Sequence, residues 1–456
     1  MTLNNATAKN KLNATIVARF VLNAKFRRLP EAAVQMVKRC LLDFIGVALA
    51  SGHIPAVKSG FGLLDALGTS EDATIVGCDL RTSVIGAVWA NSMLGSALDF
   101  EDGYYPSVGH PASVIFPVTL AIAEREDKTP AEFLTASIIG YEVCARSGML
   151  MTRTYREKPR GSGGSSVYGA AAAAARLLDL NRRGIEMALG IAGAYMTAIP
   201  VLKSHAHEAM VKGGIPWGAV SGTAAAFLAR RGFTAPPATL QDPFSPDNDE
   251  NAPMVLESLG QEYEIINVYF KRYPSCRWTH APLDATADIM HKHDIVAERI
   301  KTIRVETFKE ALVLDLRRPS SLEGVQFSIP FTMALLLAKG EFGAGQMSLE
   351  YLQDPFIQRI ADKVRLEIDP ALDQMFPERR PARVTITTTE GRSFSKEITE
   401  VHGEPGSDFA AEGVKDKFFN LATGRLGDSR AKKLYETINS LEYFSSLEPL
   451  IKLLKT

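Results

Sequence analysis

The spacing of apolar residues changes once along this chain, and that change limits what it can fold into. Up to about residue 270 the spacing is helical. EAAVQMVKRCLLDFIGVALA (31–50) places apolar residues at i, i+3, i+4 and i+7, the mark of an amphipathic helix. VIGAVWANSMLGSALDF (84–100) and IFPVTLAIAE (115–124) read as more deeply buried helices. Thr129-Pro130-Ala131-Glu132 is a capping box with proline at the first helical position, and it opens a long helix over 131–151. Six alanines (Ala170–Ala175) and the glycine-dotted ALGIAGAYMTA (188–198) let helices approach closely. No run of alternating valine, isoleucine or threonine interrupts this half, so an all-helical bundle is expected.

The period switches to two after Tyr273-Pro274. RIKTIRVET (299–307), VRLEID (364–369) and ARVTITTTEGRSFSKEIT (382–399) alternate apolar with polar residues, as half-buried strands do. Glu390-Gly391-Arg392 marks a hairpin tip within the last. Helical patterns at 325–339 and 348–364 lie between them, and the pattern returns to helix after His402-Gly403. The expected fold is mainly α: a discontinuous all-helical domain (1–271 and 403–456) with a smaller α+β domain (272–402) inserted before the C-terminal helices. Two bodies joined by two crossings leave a cleft between them, where small-molecule sites usually lie.

Composition narrows the ligand. Lys and Arg number 51 against 52 Asp and Glu, so no global basic field exists to hold nucleic acid or an anionic membrane. No stretch reaches the roughly 18 apolar residues of a membrane span; LLDFIGVALA (41–50) comes nearest, and Asp43 interrupts it. The polar N-terminus has no signal-peptide core. Four scattered cysteines (Cys40, Cys78, Cys144, Cys276) form no CxxC pair. A cytoplasmic protein with reduced thiols is expected.

Four segments concentrate chemistry. In LDFEDGYYPSVGHPAS (98–113), Asp99, Glu101 and Asp102 precede Tyr104, Tyr105 and a His110-Pro111 helix start, where an imidazole can act as acid or base. The plainer reading makes the aspartates helix caps and His110 a surface residue. In RTYREKPRGSGGSSVYG (153–169), Arg153, Arg156, Lys158 and Arg160 border a Gly/Ser-rich helix start: an anion site, or solvated charges on a connection. VLKSHAHEAMVKGG (201–214) gathers Lys203, His205, His207 and Lys212; with no third ligand at a sensible spacing, the histidine pair is a poor metal site. A lysine held among cations would lose its proton more easily and could serve as a base. KRYPSCRWTH (271–280) puts Lys271, Arg272, Arg277 and His280 at the crossing, with Tyr273 and Trp278 read as core. Cation-rich patches in a nearly neutral chain argue for a substrate with several carboxylates.

These segments, in this order, resemble the MmgE/PrpD family, along with RCLLDFIGVALA (39–50), YGAAAAAARLLDL (168–180), FLARRGFTAP (227–236) and VQFSIPF (325–331). The resemblance implies a helical domain with an α+β lid, a site between them and a homodimer. Residue by residue, Asp99, His110, Lys212 and His280 match the family's acidic, His-Pro, loop-lysine and post-Tyr-Pro positions. Three positions depart: Gly103 replaces a threonine, Arg160 stands nearest a histidine, and Phe331 replaces a tyrosine. Losing three proton donors leaves bases and cations, which points to a cofactor-free, metal-free epimerase or isomerase working beside a carboxylate, like iminodisuccinate epimerase. The alternatives are a hydro-lyase of the 2-methylcitrate type, a decarboxylase of the cis-aconitate type, or a non-catalytic anion-binding protein. In the epimerase reading His110 and Lys212 are the two bases, with His280 in reserve and Asp99 orienting His110. Arg153, Arg156, Arg160 and Arg277 hold substrate carboxylates, with Lys203, Lys271 and Tyr105 beside them.

Overall fold

The computed structural model describes residues 3–68, 70–151, 161–197, 207–238, 240 and 252–455. Its first half is built from α1 (Leu3–Asn23), α2 (Glu31–Ala50), α3 (Pro55–Phe61), α4 (Val84–Ser96), α5 (Ala112–Arg125), α6 (Pro130–Met151), α7 (Ser162–Leu177), α8 (Arg182–Ala194) and α9 (Ile215–Arg230). The capping box forms as its sequence requires. Thr129 Oγ1 accepts from Glu132 N at 3.3 Å, and the Glu132 carboxylate takes Thr129 N at 2.9 Å. Among the described residues no single helix is long and apolar enough to cross a membrane. The four cysteines are free thiols.

Helix α7 is the hub of this half, packed against α5, α6, α8 and α9. Its alanine run is buried throughout, and small side chains let backbones come close. A Cβ at Gly169 would lie 2.5 Å from Gly140 O of α6. At its N-terminus the contact is tighter still: a Cβ on Gly163 would fall 2.1 Å from Gly214 O, and Gly163 N donates to Gly213 O at 2.9 Å. That approach fixes the turn carrying Lys212 immediately before α9.

The sequence led us to expect no strands in the first half, and the structure corrects this. β1 (Ala73–Thr74) and β2 (Arg81–Thr82) form a two-residue antiparallel pair. They are too short to show a period; Glu124 of α5 holds them, taking Thr74 N at 2.7 Å and pairing with Arg81.

The second half carries a four-stranded mixed sheet in the order β4-β3-β5-β6. β3 (Ile300–Thr307) runs parallel to β4 (Val364–Ile368) and antiparallel to β5 (Ala382–Thr388), which forms a hairpin with β6 (Ser393–Ile398). Gly391, at φ 84°, makes the tip. Helix α10 (His280–Lys292) packs on β5 and β6, and α11 (Ile329–Lys339) packs on α10. Two expected helices are broken at prolines. The 325–339 pattern splits into Leu322–Gln326 and α11, with Ser328 capping and Pro330 in the first turn. The 348–364 pattern splits at Asp354-Pro355, so that Leu349–Leu352 precedes α12 (Pro355–Ala361).

The C-terminal helices α13 (Val414–Leu426), α14 (Asp428–Asn439) and α15 (Glu448–Leu454) return to the first half, and α13 packs along α2. Segments 269–277 and 402–404 run side by side: Phe270 N donates to Gly403 O at 2.9 Å, and Arg277 Nη1 to His402 O at 2.9 Å.

Gly169→Ala is expected to lower the thermal unfolding midpoint, at a cost of about 1–3 kcal/mol. Gly424→Ala, on α13 with nothing within 4 Å of its Cβ position, should raise it. Midpoints moving in the same direction would refute the packing argument.

Candidate active site

The site forms where α4 ends. The helical pattern at 84–100 stops at Ser96, and Asp99 adopts φ 50°, a left-handed conformation that turns the chain sharply. The last carbonyls of α4 carry the negative end of the helix dipole. They take a lysine: Lys212 Nζ donates to Ser96 O at 2.6 Å and to Ala97 O at 2.9 Å. Lys212 is itself left-handed, at φ 44°. Gln326 Nε2 donates to the same Ala97 O at 2.8 Å, which brings the second half of the chain to this helix end.

Lys271 meets Asp99 twice, donating to its backbone oxygen at 2.8 Å and pairing with Oδ1 at 2.9 Å. Burial alone would raise the Asp99 carboxyl, but Lys271 above all, with His110 and Lys212, overcomes it and holds the group well below the usual range. Asp99 is an anion at any working pH.

His110 is placed by Asp102. Its Nδ1 lies 2.9 Å from Asp102 O, an acceptor, so Nδ1 carries the hydrogen and Nε2 keeps its lone pair. Nε2 stands 3.9 Å from Asp99 Oδ1. Burial and then Lys271 lower the imidazole's affinity for a proton, against Glu101 and Asp99, which raise it. Asp102 also caps α5 through Ala112 N at 3.1 Å and accepts from Tyr141 OH at 2.7 Å. The cap expected on the plainer reading thus exists, while His110 is largely buried, its side chain 19 % exposed. Burial pushes the Asp102 carboxyl up to about 7, with Asp43 adding to it and the Tyr141 bond opposing it.

His280 is fully buried and both its ring nitrogens face protein. Nδ1 lies 3.3 Å from Arg277 Nη1, a donor, so Nε2 carries the hydrogen and points at Ser275 O at 3.4 Å. Burial, Arg277 and Lys271 together drive its proton affinity well down. Arg277, 4 % exposed, donates to Tyr105 OH and to Glu404 at 2.8 Å each, and Tyr105 also donates to Glu404. Lys271, Arg277 and Tyr105 are thus committed to protein partners. Tyr273 is a core residue, its OH donating to Asp284 at 3.0 Å, and the half-buried Trp278 packs edge-on against Phe308 and Phe376 of the core. Phe331 is buried in the first turn of α11. Arg153, Arg156, Lys158, Arg160, Lys203 and His205 lie outside the described residues.

Several participants were given no role from the sequence. Glu101 is fully buried and neither of its carboxylate oxygens accepts a hydrogen bond from the described residues; a buried carboxylate without one costs about 1–3 kcal/mol or more. Behind it, Lys417 of α13 pairs with Asp43 of α2 at 2.7 Å and donates to Phe100 O at 2.6 Å. Glu323, 2 % exposed, acts on Lys212 from the second half. A carboxylate that close to a helix end is visible in the sequence, but its partners are not.

Asp99, Glu101 and His110 hold ligand-type atoms within 4.8 Å of one another, the one such group of three among the described residues. Their donors suit a hard or borderline divalent cation by type. Lys271 already neutralises Asp99 there and Lys212 stands by, so a cation would enter against two ammonium groups. The arrangement fits an anion better.

Family models agree with this construction. The MmgE/PrpD N-terminal domain matches residues 15–245, and the MmgE/PrpD C-terminal domain matches 273–443. The chain belongs to the MmgE/PrpD family. Curated relatives of the family align over its whole length. The cis-aconitate decarboxylase-like protein oryM of Aspergillus oryzae is 23 % identical, with 100 % of this chain and 99 % of that protein covered. The cis-aconitate decarboxylase of Aspergillus terreus is also 23 % identical, with 100 % and 98 % covered.

A histidine kept neutral by the fold must gain a proton when the chain unfolds in acid. With His280 depressed in the folded state, its contribution is present above the unfolded value of about 6.5 and lost as pH falls below it. Asp102 works in the opposite sense, losing its contribution as pH rises towards about 7, but equally in both proteins compared. The urea midpoint should therefore fall more between about pH 7.5 and 5.5 in the wild type than in His280→Asn. Equal falls would show that His280 is not held neutral.

Proposed function

We propose that this site belongs to a lyase that acts on a small polycarboxylate, decarboxylating or dehydrating it by proton transfer at the carbon beside a carboxylate. The observation that carries this is His110. Its tautomer is fixed by Asp102, its largely buried ring turns the Nε2 lone pair towards Asp99, and Lys212 acts on the same Asp99 carboxylate. Such an imidazole takes a proton from a C–H at Nε2, or, once it has taken up a proton there from solvent, gives that proton to the carbon left by carbon dioxide. In either case negative charge develops beside the carboxylate, and a preorganised cation stabilises it without reorganisation. Lys212, its ammonium held by the carbonyls at the end of α4, is suited to that task.

The names of the relatives weigh towards a lyase rather than an epimerase. The epimerase reading needs a second base. His280 is a poor candidate while both its nitrogens face Arg277 and Ser275. Burial makes Lys212 easier to deprotonate, with Asp99 and Glu101 opposing that, so it remains the other candidate. The side chains present suffice for proton transfer without a cofactor. Segments 272–402 and 1–271 with 403–456 are proposed to act as lid and base around this pocket. Arg153, Arg156, Arg160 and Lys203 are retained as proposed carboxylate contacts. We also propose a homodimer, for which exposed Met210, Val211 and Trp217 beside Lys212 offer apolar surface.

Incubation with cis-aconitate, 2-methylcitrate and iminodisuccinate in deuterium oxide tests the reaction. Carbon dioxide release, or an unsaturated acid absorbing in the ultraviolet, is the expected result. Deuterium at the α-carbon with no loss of mass would establish the epimerase instead. His110→Gln should lower kcat about 100-fold or more, and near-normal turnover by that variant would remove His110 from the chemistry.

A further inference from the structure

Gly103 ends the run that begins at Asp99, and Tyr269 is its backbone partner. Gly103 N donates to Tyr269 O at 3.0 Å, and Tyr269 N donates to Gly103 O at 2.8 Å. The space beside Gly103 is not empty. A Cβ there would lie 2.3 Å from both Cζ and Oη of Tyr269. The phenol hydroxyl therefore stands where a side chain at position 103 would stand, two residues before Lys271, whose ammonium holds Asp99.

The ring is firmly placed. Tyr269 is 5 % exposed, its centroid lies 4.3 Å from that of Tyr105, and the Arg277 guanidinium is 4.7 Å from its centroid. Its hydroxyl makes no hydrogen bond with the described residues. The other phenols around the site are occupied: Tyr105 by Glu404 and Arg277, Tyr141 by Asp102. A well-packed phenol with an unused hydroxyl beside a charged cluster is poised to donate to something that enters.

We propose that Tyr269 is a catalytic residue of this site, its hydroxyl donating a hydrogen bond to the substrate oxygen on which negative charge develops. Burial, with Tyr105 adding and Arg277 opposing, keeps the phenol protonated far into alkaline pH, so it is a donor throughout the working range. The proposal rests on the reading of the site as one for polycarboxylates. It also restores the hydroxyl that Gly103 lacks, from a segment about 170 residues away in sequence.

Tyr269→Phe removes only the oxygen. Because that oxygen has no partner among the described residues, the thermal midpoint should stay at the wild-type value while kcat falls about 100-fold and the Kd for citrate, used as a non-reacting probe, rises about tenfold. Gly103→Thr combined with Tyr269→Ala, which opens the space and returns a hydroxyl to it, should recover part of the kcat lost in Tyr269→Ala alone. Wild-type kcat in Tyr269→Phe overturns the catalytic role, whatever the citrate result. If the wild-type chain turns over none of the acids, the reading of the site falls, and citrate titration alone decides the contact: a weakened Kd in Tyr269→Phe upholds it. An unchanged Kd, or no citrate binding by the wild type, overturns it.

Discussion

The buried pair between Asp99 and Lys271 holds the site together. Two charges taken out of water repay their desolvation only with good geometry and further hydrogen bonds, and removing one partner typically costs about 3–5 kcal/mol. Lys271 meets these terms by bonding both the carboxylate and the backbone oxygen of Asp99. The second bond requires Asp99 to stay in its left-handed conformation, so the ion pair and the abrupt end of α4 depend on each other. That end frees the Ser96 and Ala97 carbonyls, which draw in Lys212 from one side and Gln326 from the other. Three distant segments converge because one helix stops where it does.

Opposite charges are interleaved behind this helix end. Asp43, Asp99, Glu101 and Glu323 face Lys417, Lys271 and Lys212, so acids and bases there nearly balance, with Arg277 satisfied separately by Glu404. In such a layer a histidine has little reason to hold a proton, and burial disfavours the charged ring further. His110 and His280 are both held down by this combination, yet the fold uses them differently. His110 keeps one nitrogen for the pocket. His280 lends both to Arg277 and Ser275, and so braces the segment that carries Lys271.

Much of the fold was legible because it follows from periodicity. Helices α2 and α6, the β5–β6 hairpin and the change of class after Tyr273 all show in local spacing. The errors arose where local spacing is silent. Two-residue strands such as β1 and β2 have no period, and Pro330 and Pro355 break helices whose apolar pattern continues across them. In the site, clustered charge and imidazole marked the segments, and the match to the family's positions picked Asp99, His110, Lys212 and His280 from them. Lys417 and Asp43 did not, since a lysine on an amphipathic C-terminal helix reads as solvated until α13 is seen against α2. The commitment of Arg277 to Glu404 was equally hidden, because it joins two crossings 127 residues apart.

Gly103 shows why a missing side chain is weak evidence for missing chemistry. Read along the chain, glycine in place of threonine means a lost hydroxyl, and that loss was one of three departures that favoured an isomerase. Read in space, the glycine is what admits the Tyr269 ring, since any Cβ there would collide with it. The same substitution that removes one donor makes room for another, brought in by an antiparallel backbone pairing that spacing along the sequence does not reveal. The inventory of proton donors in an active site belongs to the volume around the substrate, and a residue-by-residue comparison counts it correctly only when each position is filled by its own side chain.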